Sequence, residues 1–197
     1  MERTNKREAQ RNFRRQQILE CAMEMIITGG FTAMTIRGMA EKLNISTGLF
    51  FNYFETKEQV YEELIRIGLS GPEAVLGMNE VGIEPIELFE RMTASIFDGL
   101  RLNMFNGKMF LLMGHAIRSQ AEPEGVKKLL EHFDPVTPLV EVVLKGQALG
   151  QIKPGNPLAL ILAYWGAVQG ISESFAMSPG APLPESGWVV DIVRARP

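Results

Sequence analysis

The amino-acid sequence predicts an all-α fold. Apolar residues recur three and four positions apart along most of the chain, which is the spacing of amphipathic helices. Turn residues separate these periodic segments, as in Lys153-Pro154-Gly155-Asn156-Pro157 and Ser178-Pro179-Gly180. We find no internal repeat and no convincing pair of alternating strands, so a helical protein is the expected class.

Three predicted helices lie close together in the N-terminal part of the chain. The first begins at about Arg11 and continues to Gly29-Gly30, a pair typical of a C-terminal glycine cap. The second begins after Thr35, which can cap a helix N-terminus, and ends at Asn44. A third, short helix is expected from Thr47 to Phe54.

Longer helices are predicted for the rest of the chain. Thr56 and Gln59 have the spacing of a capping box, so the next helix should start there and run toward Gly71-Pro72. The remaining periodic segments predict helices at about residues 84–102, 103–120, 123–132, 138–149, 157–177 and 185–195.

Charge is distributed unevenly along the sequence. The whole chain has a net charge of -3, but residues 1–57 hold nine basic residues against six acidic ones. Six of the nine lie in residues 1–15, which form a basic arm. Such an arm often meets phosphate or an anionic surface, although a merely solvated arm is an equal alternative.

Several classes of protein are not expected. The basic arm is not followed by an apolar segment of the kind that marks a signal peptide. The richest apolar run, residues 158–168, is shorter than the roughly 20 residues that cross a bilayer. The single Cys21 lies among apolar residues and reads as a core residue in a reducing compartment. We therefore expect a cytoplasmic protein with no membrane partner.

The second and third predicted helices have the spacing of a helix-turn-helix, because only Asn44, Ile45 and Ser46 separate them. Asn44 can adopt the left-handed conformation that such a turn needs. Phe50, Tyr53 and Phe54 share one helix face, which should pack inward. The outward face then carries Ser46, Thr47, Gly48, Phe51 and Asn52.

The outward face has the chemistry to enter a DNA major groove. Thr47 and Asn52 offer hydrogen bonds, Gly48 permits close approach of the backbone, and Phe51 offers an apolar edge to a thymine methyl. Lys57 opens the following helix, where a positive side chain and free backbone N–H groups favour a phosphate.

The segment from Gly29 to Ile65 resembles the DNA-binding region of the tetracycline-repressor (TetR) family of bacterial transcription regulators. The matching positions occur without gaps and are Gly30-Phe31, Thr35-Ile36, Met39-Ala40, Ile45-Ser46, Gly48, Tyr53-Phe54 and Lys57-Glu58. The resemblance implies a DNA-binding domain over residues 1–56 and a helical domain over residues 57–197 that binds a small effector and dimerises.

The resemblance also implies roles for individual residues. Phosphate contact is implied for Thr35, Thr47, Tyr53 and Lys57, and close approach to a base edge for Gly48. We add Arg37 as a further phosphate candidate and assign Phe51 and Asn52 to the groove. Turn and cap chemistry is the alternative for the polar members of this set. Two residues depart from the family, since Leu49 and Phe51 lack the polar or hydroxyl groups that members often have there.

Flexible thioethers and aromatic rings on two neighbouring predicted helices can line an apolar effector pocket, although they can equally fill a core. The family's effector site lies among these middle helices, which favours a pocket. The candidates are Met92, Ile96, Phe97, Leu100, Met104, Phe105, Met109, Phe110, Met113 and Tyr164.

Small residues on the helix after Pro157 can let a partner helix come close, which predicts a four-helix dimer interface with the last helix. Packing within one subunit is the alternative. The candidates are Ala163, Gly166, Ala167, Gly170, Trp188, Val189, Ile192 and Val193.

The predicted function is a homodimeric repressor that leaves a palindromic double-stranded DNA operator when a small apolar effector binds. An enzyme is not expected, because His115 and His132 are the only histidines and neither has neighbours at metal-ligand spacing. No cofactor or metal is expected. A helical lipid- or drug-binding module that has lost DNA binding is the alternative, and Leu49 and Phe51 are its only indications.

Overall fold

The computed structural model describes residues 2–76, 82–119, 121–178 and 180–196, with the side chains of residues 2–6 and 72–76 left out. About 74% of the chain is helical. The only β-type pairing within the described ranges is an isolated bridge between Ile152 and Arg194. The predicted all-α class is confirmed.

Ten α-helices and one short 3₁₀ turn make up the described structure. The 3₁₀ turn covers Thr137–Leu139 and leads directly into the eighth helix. The helices are α1 Glu2–Ala33, α2 Ile36–Lys42, α3 Thr47–Phe50, α4 Lys57–Leu76, α5 Pro85–Leu102, α6 Met104–Arg118, α7 Glu124–Leu130, α8 Val140–Ala148, α9 Pro157–Met177 and α10 Ser186–Val190.

Helix α1 is longer than the sequence pattern predicted. It begins at Glu2 instead of about Arg11, because the basic arm contains no Gly or Pro and its Lys, Arg, Glu, Ala and Gln residues favour a helix. The predicted stop at the glycine pair takes the form of a kink. Gly30 has φ 73° and ψ 177°, and a single further helical turn follows it.

The third and last helices are shorter than predicted. Helix α3 ends at Phe50, and 3₁₀-type hydrogen bonds from Asn52 to Leu49 and from Tyr53 to Phe50 continue the turn. Helix α10 ends at Val190 instead of residue 195. There the backbone leaves the helix and pairs across the chain, since Ala195 N–H donates to the Gln151 carbonyl at 2.9 Å.

The chain divides into two compact units. The first consists of residues 1–68 and 111–132, and the second of residues 69–110 and 133–197. Helices α4 and α6 therefore contribute residues to both units. The predicted boundary between a DNA-binding domain over residues 1–56 and an effector-binding and dimerisation domain over residues 57–197 concerns function and stays a prediction.

Each unit has its own apolar core. In the first unit the fully buried side chains include Ile18, Met23, Ile26, Phe50 and Tyr61. Cys21 is also buried there, as predicted, and this burial raises the pKa of its thiol. In the second unit, α5 packs against α8, α9 and α10.

Candidate nucleic-acid interface

The turn between α2 and α3 has the geometry that the sequence predicted. Asn44 has φ 51°, the only left-handed non-glycine residue in the described ranges. Its N–H donates to the Glu41 carbonyl at 3.2 Å, and the Ile45 N–H donates to the Ala40 carbonyl at 3.0 Å. This pair of bonds is a Schellman motif, which ends α2 and turns the chain toward α3.

Two hydroxyl groups cap the helices of this motif. Thr35 Oγ1 accepts a hydrogen bond from the Gly38 N–H, and Ser46 Oγ accepts one from the Leu49 N–H, both at 3.0 Å. Cap chemistry was the alternative to DNA contact for these residues. The two roles are compatible, because a hydroxyl that accepts a bond still has its own hydrogen to donate to a phosphate.

The aromatic residues after Gly48 divide as the helical spacing predicted. Phe50 and Phe54 are buried, at 0% and 4% exposure, and Tyr53 is half-buried. Phe51 is 53% exposed and meets Phe50 edge to face, with ring centroids 5.8 Å apart. The inward rings anchor a helix that is too short to be stable alone.

The reading segment, residues 46–53, presents an open outward face. Thr47, Gly48 and Asn52 are all exposed. A Cβ placed on Gly48 would have Ser46 Oγ at 3.8 Å as its nearest neighbour, so the backbone is open at this point. Among the described residues, the Thr47 side chain takes part in no hydrogen bond and is available to a partner.

Lys57 is held by the domain itself. Its Nζ donates to the carbonyls of Met34 at 3.0 Å and Phe31 at 3.3 Å, and it lies 4.0 Å from the centroid of the Phe31 ring. The ammonium group therefore provides a hydrogen-bond donor to carbonyls at and just after the end of α1. An ammonium carries three donors, so one remains for a phosphate.

Arg37 and Arg15 are among the arginines of this unit that already have carboxylate partners. Arg37 Nε donates to Glu41 Oε1 at 2.8 Å, in a fully exposed pair that contributes little to stability. Arg15 makes a bidentate pair with Glu63 and lies 4.7 Å from the centroid of the Phe54 ring. Arg15 thereby connects α1 to α4 and to the buried Phe54 ring that follows the reading segment.

A buried polar group that the sequence did not single out lies in the same unit. The Glu122 side chain is 2% exposed, and His115 Nε2 lies 3.7 Å from its Oε1. Burial, followed by the nearby Glu122 charge, raises the pKa of Tyr61. The Tyr61 ring stacks on Phe31, with centroids 5.7 Å apart. His132, in contrast, is exposed.

Most of the predicted effector residues belong to the core of the second unit. Met92, Phe97, Leu100 and Tyr164 are at most 1% exposed, and Met109 is 9% exposed. Ile96 and Phe110 pack against this core, and Met104 and Phe105 are half-buried. Met113 is buried in the first unit instead. An effector would therefore have to displace packed side chains.

One polar contact lies within this apolar core. The hydroxyls of Thr93 and Tyr164 are 3.0 Å apart, and Thr93 also donates to the Phe89 carbonyl at 2.7 Å. Burial raises the pKa of Tyr164 to about 12, against the opposing effect of the Thr93 hydrogen bond. Either hydroxyl can be the donor in the contact between Thr93 and Tyr164.

The predicted dimer residues fall into two groups. Ala163, Gly166, Gly170 and Trp188 are exposed, and Trp188 retains 64% of its surface. Val189 and Val193 are at most 3% exposed and pack in the core of their own unit, with Ile192 and Ala167 packed against it. Leu158 and Leu162 on α9 are also about half exposed, at 48% and 59%.

The described residues contain no group of three His, Cys, Asp or Glu side chains that could hold a metal ion. None of the helices in the described ranges is long and apolar enough to span a membrane.

The N-terminal segment matches a family model. Residues 18–64 match the model of bacterial regulatory proteins of the tetR family. The HTH-type transcriptional repressor KstR2 of Mycolicibacterium smegmatis is 36% identical over 53 residues, or 27% of this chain and 26% of that one. The regulator BetI of Burkholderia ambifaria is 27% identical over 126 residues, 63% of either chain. The chain thus aligns with less than two thirds of these relatives.

Solved structures share the fold over almost the whole chain. The ketosteroid regulator KstR2 of Mycobacterium tuberculosis has a TM-score of 0.69 at 19% identity, over 93% of this chain and 96% of that one. A tetR-family regulatory protein from Rhodococcus RHA1 gives 0.67 at 15% identity, over 93% and 98%. The fatty acid degradation regulator FadR of Bacillus halodurans gives 0.60 at 14% identity, over 90% and 91%.

Proposed function

We propose that this chain, a member of the tetR family of bacterial regulatory proteins, is a DNA-binding transcription regulator that acts as a repressor in the bacterial cytoplasm. The observation that carries the proposal is the open face of the reading segment. Thr47, Gly48 and Asn52 are exposed on this segment, which the buried Phe50 and Phe54 anchor in the core. A helix presented in this way can enter a major groove.

Backbone phosphates on either side of the groove would be bound by the groups around this segment. The Thr35 and Ser46 hydroxyls retain a donor hydrogen, and Lys57 retains one N–H. Arg37 can turn from Glu41 to a phosphate at little cost, because the exposed ion pair is weak. Phe51 would read shape or a thymine methyl, since its ring offers no hydrogen bond.

The regulator would act as a homodimer on a palindromic operator. The exposed small residues of α9, together with exposed Trp188, support an interface in which two helices from each subunit pack closely. The open space at Gly166 and Gly170, where no atom lies within 4 Å of an added Cβ, supports close approach by a partner helix. A two-fold axis would set the separation of the two reading segments.

A largely apolar molecule is the proposed effector. The second unit offers it Met and Phe side chains and a buried pair of hydroxyl groups, those of Thr93 and Tyr164. The names of the similar structures, a ketosteroid regulator and a fatty acid degradation regulator, agree with apolar chemistry. An effector that opens this core would shift α4 and so alter the spacing of the reading segments.

Binding to DNA is tested with the Thr47→Ala variant. A high-affinity duplex would first be selected on the parent protein from a random-sequence library, and its affinity measured by fluorescence anisotropy at several salt concentrations. We expect Thr47→Ala to weaken binding without changing the thermal midpoint. Thr28→Ala is the matched control, because the Thr28 hydroxyl already donates to the Glu24 carbonyl at 2.8 Å within α1.

Failure to select any duplex, or binding that does not depend on salt, would reject the regulator and favour a binding module without DNA affinity.

The effector is tested separately by thermal shift with a saturated fatty acid and a steroid as probes. A ligand at about 100 times its Kd should stabilise the fold by about 2.7 kcal/mol. A probe that stabilises the protein but leaves the DNA complex intact would contradict effector-controlled release.

A further inference from the structure

The N-terminal extension of α1 carries basic residues on the helix face that is buried further along α1. From residue 18 onward this face of α1 packs into the core, beginning with the fully buried Ile18. Arg7, Arg11 and Arg14 lie eleven, seven and four positions earlier, so they continue the same face of the helix toward the N-terminus. The stripe that is apolar in the body of the domain is therefore basic in the extension.

This basic face meets the reading segment. Arg7, Gln10 and Arg11 line a cleft of about 370 Å³ together with Asn52 and Tyr53. Arg7, Gln10, Arg11 and Asn52 are exposed, and Tyr53 is half-buried. The cleft thus joins α1 to the segment that faces the DNA groove, and every residue that lines it carries a hydrogen-bond donor.

The two arginines of the cleft differ from Arg15 in their partners. Within the part of the chain whose side chains are described, neither Arg7 nor Arg11 takes part in an ion pair or a hydrogen bond. Arg15, one turn further along α1, is paired with Glu63. Two cationic side chains that line one cleft repel each other, and an anion bound in the cleft would reduce this cost.

We propose that this cleft binds a DNA backbone phosphate, so that the N-terminal extension of α1 is a second DNA-contacting element. The proposal rests on the proposed function, because it assigns a further contact to the same DNA-bound state. The guanidinium groups of Arg7 and Arg11 form charge-assisted bonds to the phosphate oxygens. Gln10 and the Tyr53 hydroxyl complete the donor set, while Asn52 remains near the groove.

The geometry favours a phosphate over a base edge for this contact. The cleft is open, and its arginines sit beside the reading segment on a separate helix instead of on its outward face. Contacts beside a groove meet the sugar-phosphate backbone, which carries no sequence information. The extension should therefore add affinity equally to all sequences.

The test is the double variant Arg7→Ala, Arg11→Ala, compared with the parent on the duplex selected with the parent. Loss of one phosphate contact lowers the salt slope by about 0.9, so two chains on one operator should lose about 1.8 units. The same relation gives about fivefold weaker binding per phosphate near 0.15 M salt, or about thirtyfold for two. A scrambled duplex should show a similar proportional loss.

The matched control is Lys128→Ala, Lys145→Ala, which removes the same charge from two exposed lysines that lie outside the cleft. It should leave the salt slope unchanged. Circular dichroism and the thermal midpoint would verify that each variant remains folded. Ethylation interference should also show one phosphate per half-site that matters to the parent and not to the double arginine variant.

Three outcomes would overturn the inference while leaving the proposed function standing. The arginine variant could bind with the parent's salt slope, or the lysine control could lose as much slope as the arginine variant. The arginine variant could also select a different consensus sequence, which would make the contact a base contact. A parent that binds no duplex with salt dependence would instead reject the proposed function itself.

Discussion

Replacement of Gly48 by Ala adds one methyl group to the outward face of the reading segment. The added Cβ would meet Ser46 Oγ at 3.8 Å, which is an ordinary contact distance. Gly48 is not in the left-handed region, and it lies in the first turn of α3. Alanine is favoured over glycine inside a helix by about 0.5–1 kcal/mol, so the free energy of unfolding should stay equal or increase slightly.

The same methyl group should weaken DNA binding substantially. It projects toward the partner at the point where the chain is expected to approach a base edge most closely, and it keeps the neighbouring donors away from their acceptors. One lost base contact costs about 1–3 kcal/mol, and a dimer loses one in each half-site. The total of about 2–6 kcal/mol corresponds to a Kd raised by roughly 30-fold to more than 10⁴-fold.

The assay is fluorescence anisotropy on the duplex selected with the parent, together with thermal unfolding of the free protein. Gly71→Ala is the matched control, because Gly71 is exposed in α4 and a Cβ added there would meet nothing within 4 Å. The control should unfold at the same or a higher temperature and bind DNA like the parent. Parent-like affinity of Gly48→Ala would refute the close approach at this position.

Other substitutions test the conformation of the turn, the buried polar contact of the second unit and the proposed dimer interface. Asn44→Ala should destabilise the fold by about 1 kcal/mol because Ala tolerates φ 51° poorly, whereas Asn44→Gly should not; urea unfolding measures both. Tyr164→Phe should lower the free energy of unfolding by about 1 kcal/mol, because the hydrogen bond to Thr93 is lost. Thr93→Val should lower it by about 1–3 kcal/mol, because the buried Tyr164 hydroxyl is left unpaired. Equal losses for the two variants would contradict this order. Gly166→Leu should yield a folded monomer in light scattering, and a stable dimer would contradict the proposed interface.

The helix-turn-helix was predictable because its signals are local. The left-handed Asn44 and the caps at Thr35 and Ser46 depend on residues within four positions of one another. The inward and outward aromatic residues also follow from helical spacing alone. The length of α3 was not predictable, because the helix ends at Phe50 and no Gly or Pro follows there to mark a stop in the sequence.

The contacts of individual side chains were not predictable in the same way. Lys57 was predicted to contact a phosphate at the start of a helix, and no signal in the sequence indicated that its ammonium group also binds carbonyls more than 20 positions earlier in the chain. Val189 looked like an interface residue and packs in the core of its own unit. In both cases a contact distant in sequence competes with the role that the local pattern indicates.

By itself the sequence determined the helical class, the position of the turn and the face of α3 that is left open, because these follow from periodicity and short-range hydrogen bonds. Only the tertiary structure decided which polar groups remain available to a partner. Arg15 is neutralised by Glu63, while Arg7 and Arg11 line a cleft with Tyr53 and have no ion-pair partner among the side chains that the structure describes. The sequence pattern placed Arg11 and Arg15 on one helix and left Arg7 outside it, whereas α1 contains all three. A charged group finds its partner through space, and that distance is set by how the helices pack.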